Sequence, residues 1–373
     1  MVRNVAVTED NIPFRRFFLP GPTAVHPEVL AAQHRALIGH RGPAIKVLME
    51  QLQLGLKDVF RTSRPVLIST SSATGFMESA VRNGARARVL SLVNGAFSKR
   101  FAEIAMACGF EVDSIEVEWG QTISPESVRK RLSAGGVDAV TVVHSETSTG
   151  ALNPLAEIAG VVQEFEDVLL LVDSVSGMGA VEVRTDEWKL DFVLTGSQKA
   201  LALPPGLAFA VASDRMMDRS NKASRKGVYF DLTAFRKHID NLQTPNTPAI
   251  SLLYALAEQL RRIDMEGGVE ARWVRHRAMA DRCADWVRFM EHEKGLALAV
   301  VASEGERSPT VTCIALPEGI SGPTVVSAMR NQGFVIGYGY GKLKENTIRI
   351  GHMGDHSVAE LNELLRGLEG VLK

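Results

Sequence analysis

Apolar residues occur along much of this chain in short runs that alternate with segments of helical spacing. Strand-like runs at 88–93, 111–117 and 137–143 are each followed by a segment whose apolar residues recur three or four positions apart, and the apolar run at 168–172 ends in Asp173. Parallel strands covered by helices on both faces show this pattern. The alternation therefore predicts an α/β protein with a mostly parallel sheet.

The pattern changes in the last third of the chain. A long amphipathic helix is predicted from Val269 to Glu293, followed by a strand at Thr310–Leu316, a helix, a strand at Asn346–His352 and a closing helix. A chain of 373 residues is long enough for two hydrophobic cores. We predict an N-terminal arm at 1–16, a large domain at 17–265 and a smaller C-terminal α+β domain at 266–373.

Lys199 lies between two apolar, strand-like runs at 191–195 and 207–212. Strand ends and their loops present reactive groups, and a partly desolvated ammonium group loses its proton more easily. A lysine in that environment can form a Schiff base with an aldehyde. For this residue alone, a solvated loop lysine is the plainer interpretation.

Other polar clusters also follow predicted strands. They are Ser72-Ala-Thr74, His144-Ser-Glu-Thr147 and Asp173, and in parallel sheets ligands bind outside the carboxyl ends of the strands. The first cluster precedes a helix, where backbone N–H groups favour a phosphate, although small hydroxyl residues are also common helix caps. Arg349 lies inside a predicted strand, where an arginine alone would suggest an ion pair.

The composition of the chain excludes some classes of function. The net charge is −1 at pH 7, with 45% hydrophobic and 23% charged residues, which is typical of a soluble globular protein that binds neither nucleic acid nor membrane. The cysteines, Cys108, Cys283 and Cys313, are far apart and indicate no disulfide framework. The histidines lack metal-ligand spacing, so we predict no metal. Because no signal peptide or long apolar run is visible, we expect a cytoplasmic protein.

The order of the motifs resembles that of the class V, fold type I pyridoxal phosphate-dependent aminotransferases, specifically the alanine/serine-glyoxylate (serine-pyruvate) group. The matching segments are Leu19-Pro-Gly-Pro-Thr23, His40-Arg-Gly-Pro43, Asn94-Gly-Ala-Phe97, His144-Ser-Glu-Thr-Ser-Thr-Gly150, Val172-Asp-Ser-Val175, Gly196-Ser-Gln-Lys-Ala200 with Pro204-Pro-Gly206, and Ile348-Arg-Ile-Gly351. The resemblance implies a seven-stranded, mostly parallel sheet in the large domain and pyridoxal 5'-phosphate as cofactor. It also implies a homodimer whose active sites are shared between the subunits.

The resemblance also implies a role for each matching residue. Lys199 would hold the cofactor covalently and move the proton between substrate and cofactor, and Asp173 would pair with the pyridinium nitrogen. Arg349 and Gly21 would bind the substrate carboxylate. The other predicted cofactor contacts are Ser72, Ala73, Thr74 and Gln198 at the phosphate, Phe97 and Val175 on the two ring faces, Thr147 at the ring oxygen, and Asn246 and Thr247 from the other subunit.

The chain departs from the family pattern at a few of these positions. Phe97 stands where many relatives have tryptophan, and Ala73 and Thr74 stand where the animal enzymes have glycine and histidine. In the segment that completes the partner's phosphate site, Gln243 replaces the tyrosine of some relatives. Asn246 and Thr247 are predicted for that contact instead.

The predicted activity is transfer of an amino group from alanine or serine to glyoxylate or pyruvate. A 2-aminoethylphosphonate-pyruvate-type transaminase is an alternative, because residues 146–154 are similar, and extra basic groups near Arg41 would favour it. A cysteine desulfurase or lyase would need a nucleophilic cysteine in a mobile loop. A noncatalytic binding protein on the same fold would be expected to have lost Lys199 or Asp173.

Overall fold

The computed structural model of this protein describes residues 16–372. The predicted N-terminal arm at 1–16 therefore lies outside the described residues, except for Arg16. The strands are β1 (Phe17–Phe18), β2 (Leu67–Ser69), β3 (Arg88–Val93), β4 (Glu111–Glu116), β5 (Ala139–Val143), β6 (Ser145–Glu146), β7 (Ala151–Leu152), β8 (Leu169–Asp173), β9 (Phe192–Gly196), β10 (Ala208–Ala212), β11 (Ala299–Val300), β12 (Val311–Ala315), β13 (Val335–Tyr338) and β14 (Thr347–Gly351).

Helices separate most of these strands, and short 3₁₀ turns lie at Ala32–His34 and Gly341–Leu343. The α-helices are α1 (Pro27–Ala31), α2 (Pro43–Phe60), α3 (Ala73–Gly84), α4 (Ala96–Ala107), α5 (Pro125–Ser133), α6 (Leu155–Val162), α7 (Asp214–Lys222), α8 (Leu232–Ile239), α9 (Ile250–Met265), α10 (Gly268–Lys294), α11 (Gly322–Asn331) and α12 (Val358–Val371). Between residues 16 and 372, no helix combines the length and the apolar character needed to cross a membrane.

The larger sheet has seven strands in the order β2-β10-β9-β8-β5-β3-β4. The pairs β3–β4, β3–β5, β5–β8 and β8–β9 are parallel, whereas β10 runs antiparallel to β9 and β2. The central strands β5, β8 and β9 are fully buried, which explains their apolar sequences. The predicted α/β fold with a mostly parallel seven-stranded sheet is confirmed.

The register of the central strands brings several predicted site residues to one edge of this sheet. Val143 lies opposite Asp173, and Asp173 lies opposite Leu194. Because β5, β8 and β9 are parallel, their carboxyl ends meet there. Asp173 and the loop after β9 therefore lie side by side.

The smaller sheet has the order β1-β13-β14-β12-β11. One hydrophobic core runs from Val29 to Ile263, and a second contains Phe18 and residues from Met279 to Leu372. The α9–α10 junction lies between the two cores, and its Gly267 has a φ of 107° that favours glycine. The predicted domain boundary after residue 265 is at this junction, and it stays a prediction.

The strand β1 belongs to the smaller sheet. Phe17 and Phe18 pair in parallel with Val335 and Ile336 of β13, whereas the sequence prediction begins the large domain at residue 17. The Phe18 side chain is fully buried and stacks on His356, with ring centroids 4.1 Å apart. Burial of this apolar ring explains the long-range pairing.

Candidate active site

Lys199 lies in a tight connection between β9 and β10. Hydrogen bonds of 2.8 Å from Ala202 N to Lys199 O and 3.0 Å from Leu203 N to Ser197 O close the turn. The Lys199 side chain is only 8% exposed, and its Nζ donates to the carbonyl oxygen of Pro20. The ammonium group is therefore held inside the protein by one neutral acceptor.

The surroundings of Lys199 favour loss of its proton. Burial, reinforced by the positive charge of Arg349, lowers the Lys199 pKa to about 8. The negative charges of Asp173 and Glu146 oppose that shift. A sizeable fraction of this amine is consequently neutral in mildly alkaline solution.

Asp173 is the last residue of β8 and is 4% exposed. Its Oδ1 accepts a hydrogen bond of 2.8 Å from Val175 N, while Oδ2 has no protein partner within residues 16–372. Burial raises the Asp173 pKa to about 7, the Val175 N–H bond opposes this rise, and the negative charge of Glu146 adds to it. A cationic partner would stabilise this carboxylate.

The start of α3 forms an anion cradle beside these two residues. Ser72 is the N-cap, and its side chain makes no capping hydrogen bond to α3 in the described structure. The first N–H groups of a helix lack intrahelical acceptors. They lie at Ala73 and Thr74, which line the same pocket as Gln198. This arrangement suits a phosphate.

Two side chains flank the space in front of Lys199. Phe97, the second residue of α4, has its ring centroid 5.7 Å from Lys199 Nζ. Val175 lines the same pocket just after Asp173. Thr147 lies at a third wall, where its Oγ1 is 2.5 Å from Ser176 Oγ. The pocket thus offers apolar faces and hydroxyl groups to a flat ring.

Arg349, on β14 of the smaller sheet, contacts Thr147, which lines the pocket. Its Nη1 donates to Thr147 O at 3.1 Å, and its Nε donates to Tyr338 O at 3.0 Å. Within the described chain, Nη2 has no hydrogen-bond acceptor and the guanidinium has no carboxylate partner. Burial lowers the Arg349 pKa from its ordinary value. This half-buried cation is therefore not paired with any carboxylate that the structure describes.

Gly21 lies against the Lys199 side chain. Its φ is 97°, and a Cβ at this position would overlap the Lys199 stem. Nearby, Thr23 N donates to Gln198 O at 2.9 Å. The Pro-Gly-Pro turn therefore brings bare backbone close to the lysine.

Asn246 and Thr247 are not part of this cluster. Both are exposed in the segment between α8 and α9 and do not line the pocket. Arg41 holds the same segment by donating to Gln243 Oε1 at 3.1 Å and to Thr244 O at 2.7 Å. The contact predicted for them involves a second subunit, and it stays a prediction.

The sequence assigned no role to Ser176, Arg100 or Glu146. Ser176 and Arg100 line the pocket, and Glu146 is fully buried behind it. Arg100 could have been found because it lies one helical turn after Phe97. Glu146 stands beside Thr147 in a segment already selected, but a lone acid there gives no signal of burial.

Comparisons with known proteins agree with this geometry. The aminotransferase class-V family model matches residues 24–341. An uncharacterized aminotransferase of Methanocaldococcus jannaschii is 38% identical over 95% of this chain and 92% of that protein. The serine–glyoxylate aminotransferase of Arabidopsis thaliana is 33% identical over 95% of this chain and 90% of that protein. An alanine–glyoxylate aminotransferase from Nostoc sp. has a crystal structure that superimposes with a TM-score of 0.90, at 30% identity and 100% coverage of both chains.

The chain belongs to the aminotransferase class-V family. It has fold type I and is a pyridoxal phosphate-dependent aminotransferase, as the sequence predicts. The pocket fits that cofactor, because a helix N-terminus, a buried carboxylate with an open oxygen and a buried lysine line one space. The close approach of backbone supports the fit, since a Cβ on Gly196 would lie 2.8 Å from Gln198 Oε1 and 3.2 Å from Ala73 Cβ.

Proposed function

We propose that this enzyme transfers the amino group of a small amino acid, alanine or serine, to glyoxylate or pyruvate. The observation that carries the proposal is Arg349, which forms no ion pair with any described carboxylate, donates to the pocket residue Thr147 and acts through its charge on the buried Lys199. The names of the Arabidopsis and Nostoc relatives support glyoxylate as acceptor and serine or alanine as donor.

Two buried residues are assigned to the chemistry. When bound, pyridoxal phosphate supplies an electron sink for negative charge at the substrate α-carbon. Lys199 takes the proton from that carbon and returns it, a role that suits an amine with a pKa of about 8. Asp173 keeps the ring nitrogen protonated through its open carboxylate oxygen.

The remaining assignments concern binding. Arg349 grips the substrate carboxylate, with backbone at Gly21 beside it. Ser72, Ala73, Thr74 and Gln198 hold the phosphate, Phe97 and Val175 cover the ring faces, and Thr147 bonds the ring oxygen. A small substrate side chain suits the site, because the Tyr340 ring lies 5.5 Å from the Phe97 ring and 5.6 Å from the Arg349 guanidinium.

A donor with a second carboxylate, such as aspartate, is the second candidate. Arg100 favours it, because this residue lines the pocket and lies 5.3 Å from the Phe97 ring centroid. Its Nη2 donates to Tyr340 Oη at 3.3 Å, and none of the described carboxylates forms an ion pair with it. A side-chain carboxylate of the substrate could supply the missing anion.

A desulfurase activity and a phosphonate substrate have less support. The thiols of Cys283 and Cys313 are buried, which raises their pKa values to about 12 and about 11. Burial also raises the pKa of Cys108, so a desulfurase nucleophile is not favoured. Extra basic groups near Arg41 would favour a phosphonate substrate, but Arg41 itself is engaged with the 243–245 segment.

We also infer a homodimer. Leu37, which precedes α2, and Val47 and Leu54 on α2 are 74%, 68% and 67% exposed, and exposed apolar residues favour an interface. In that dimer, Asn246 and Thr247 would complete the phosphate site of the partner. We also propose that the chain is divided into the two domains predicted from the sequence. We propose a cytoplasmic location for the protein.

The direct test is product analysis with a panel of donors. Purified enzyme supplied with pyridoxal phosphate and glyoxylate should form glycine from alanine or serine, and Lys199→Ala should not. Aspartate should be used less well, and Arg100→Gln should lower kcat/KM for aspartate about tenfold while changing that for alanine less than twofold. No glycine from any donor, with pyruvate also inactive as acceptor, would contradict the proposed function.

A further inference from the structure

The carboxyl group of Glu146 lies behind the pocket. Glu146 ends β6 and is fully buried, and it is not among the residues that line the pocket. A carboxylate without access to water is costly unless its oxygens accept hydrogen bonds. The hydrogen-bond donors to the Glu146 carboxylate therefore show which elements it connects.

One oxygen of Glu146 binds the start of α4. Oε2 accepts from Phe97 N at 3.1 Å and from Ser98 N at 2.9 Å, and the Ser98 hydroxyl lies 3.0 Å from it. These are N–H groups that a helix leaves without intrahelical acceptors. A negative charge at this position is favourable, because it meets the positive end of the helix dipole.

The other oxygen of Glu146 binds the turn that connects β6 to β7. Oε1 accepts from Ser148 N at 3.1 Å and from Ser148 Oγ at 2.6 Å. Ser148 Oγ in turn accepts from Ala96 N at 3.0 Å. One carboxylate thus joins a helix terminus to a hairpin turn that are about fifty residues apart in the sequence.

Both of these elements carry groups that face the substrate pocket. The α4 terminus carries Phe97, whose ring lies 5.7 Å from Lys199 Nζ. The hairpin turn carries Thr147, whose carbonyl oxygen accepts from Arg349 Nη1. Moving the α4 terminus away from the turn would change the relative position of the ring face and the arginine.

The packing around Gly95 shows how closely this carboxylate fits. A Cβ on Gly95 would lie less than 3 Å from the Glu146 side chain and from Ser148 Oγ. Glycine is therefore needed before α4 for the carboxylate to reach the helix. A side chain here would displace the Glu146 carboxylate and its donor Ser148 Oγ.

We propose that Glu146 is a positioning residue, which sets the Phe97 ring against the cofactor and Thr147 against Arg349 by binding both elements with one buried carboxylate. The inference rests on the proposed function, because it assumes that Phe97 covers the cofactor ring. The nearby charged groups are Lys199, Asp173 and Arg349, and the charge of Glu146 acts on the titration of all three. Glu146 therefore also contributes negative charge to the site.

The test compares Glu146→Gln with Glu103→Gln, an exposed glutamate on α4. An amide can replace only one of the two accepting oxygens. We expect Glu146→Gln to weaken pyridoxal phosphate binding to the apoprotein about tenfold. The visible circular dichroism of the bound cofactor should weaken, and the pH midpoint of its absorbance should shift to lower pH, because a negative charge near Lys199 is lost.

Gly95→Ala supplies a second variant that keeps the carboxylate. It should weaken cofactor binding and visible circular dichroism as Glu146→Gln does. Glu103→Gln should match the wild type. The inference would be overturned if Glu146→Gln melted at a lower temperature but kept the cofactor affinity and the pH midpoint of the wild type. Glu146 would then only cap α4 and stabilise the fold. If the wild type itself binds no pyridoxal phosphate, the failure belongs to the proposed function instead.

Discussion

Two buried aspartates at opposite edges of the seven-stranded sheet differ in their hydrogen bonds. At the amino ends of the strands, Asp138 accepts from Arg86 N, Ala87 N and Arg88 N at 2.8, 2.7 and 3.0 Å. At the carboxyl ends, Asp173 is similarly buried but accepts, from residues 16–372, only the Val175 N–H. The protein satisfies the first carboxylate and leaves the second partly open.

The basic residues differ in the same way. At the amino edge, Arg219 donates to Gly84 O at 2.9 Å and to Asp138 O at 3.1 Å, and it lies 3.8 Å from the Asp138 carboxylate. At the carboxyl edge, the acceptors of Lys199 and Arg349 among the described residues are all carbonyl oxygens. The charges at the amino edge are engaged with protein groups, whereas those at the carboxyl edge without a charged protein partner are available to a ligand.

The largest effect is expected at Lys199. Lys199→Ala should lower the transamination rate about 10⁴-fold, because the site loses its proton carrier. The apoprotein should become more stable at pH 7 by up to about 3 kcal/mol, since a cation that burial disfavours is removed. Denaturant unfolding of the apoprotein measures the second effect. A destabilised but active variant would contradict the contrast between the two edges.

Asp173→Asn should lower kcat roughly 10³-fold, because the ring nitrogen loses its anionic partner.

The same variant tests the pH dependence of stability. A carboxyl whose pKa rises to about 7 on folding destabilises the fold as pH increases from about 4 towards 7, since the folded state must give up a proton that it holds more tightly.

Unfolding of the apoprotein at pH 5 and pH 8 measures this dependence. Between these values, the Asp173 carboxyl should lower the free energy of unfolding of the wild type by about 3 kcal/mol. In Asp173→Asn, this part of the pH dependence of the free energy of unfolding should be absent. Identical pH profiles for the two proteins would show that Asp173 is not held in the way described.

Arg349→Lys should lower kcat/KM for alanine roughly 100-fold, mainly through KM. Lysine keeps the charge but lacks the planar fork that binds a carboxylate through two parallel bonds. Steady-state kinetics with varied alanine measures the change. An equal fall in kcat at saturating alanine would point to a role beyond carboxylate binding.

The smallest effect on catalysis is expected at the amino edge. Asp138→Asn should lower the free energy of unfolding by about 2 kcal/mol, because an amide cannot accept all three N–H bonds. The kcat of the folded enzyme should change less than twofold, since the residue lies at the edge opposite the pocket. If Asp138→Asn changed kcat strongly without changing the free energy of unfolding, the proposed difference between the two edges would be wrong.

The order of the predicted strands was enough to place Asp173 and Lys199 at the same edge of the sheet. Asp173 and Lys199 follow apolar runs, and parallel strands bring such residues to one edge. The strand at Phe17–Phe18 was missed, because two residues show no periodicity and their partner lies more than 300 positions away. Arg100 was missed because a cation on a helix is usually solvated. The roles of Asn246 and Thr247 depend on a second chain, which one sequence does not position.

The most direct test of the account is to identify the lysine that carries the cofactor. The enzyme reconstituted with pyridoxal phosphate is reduced with borohydride, which makes a lysine–cofactor bond permanent, and its peptides are mapped by mass spectrometry. We expect the phosphopyridoxyl group on Lys199 alone, and loss of the label in Lys199→Ala. A label on another lysine, or no label on a protein that still binds the cofactor, would contradict it.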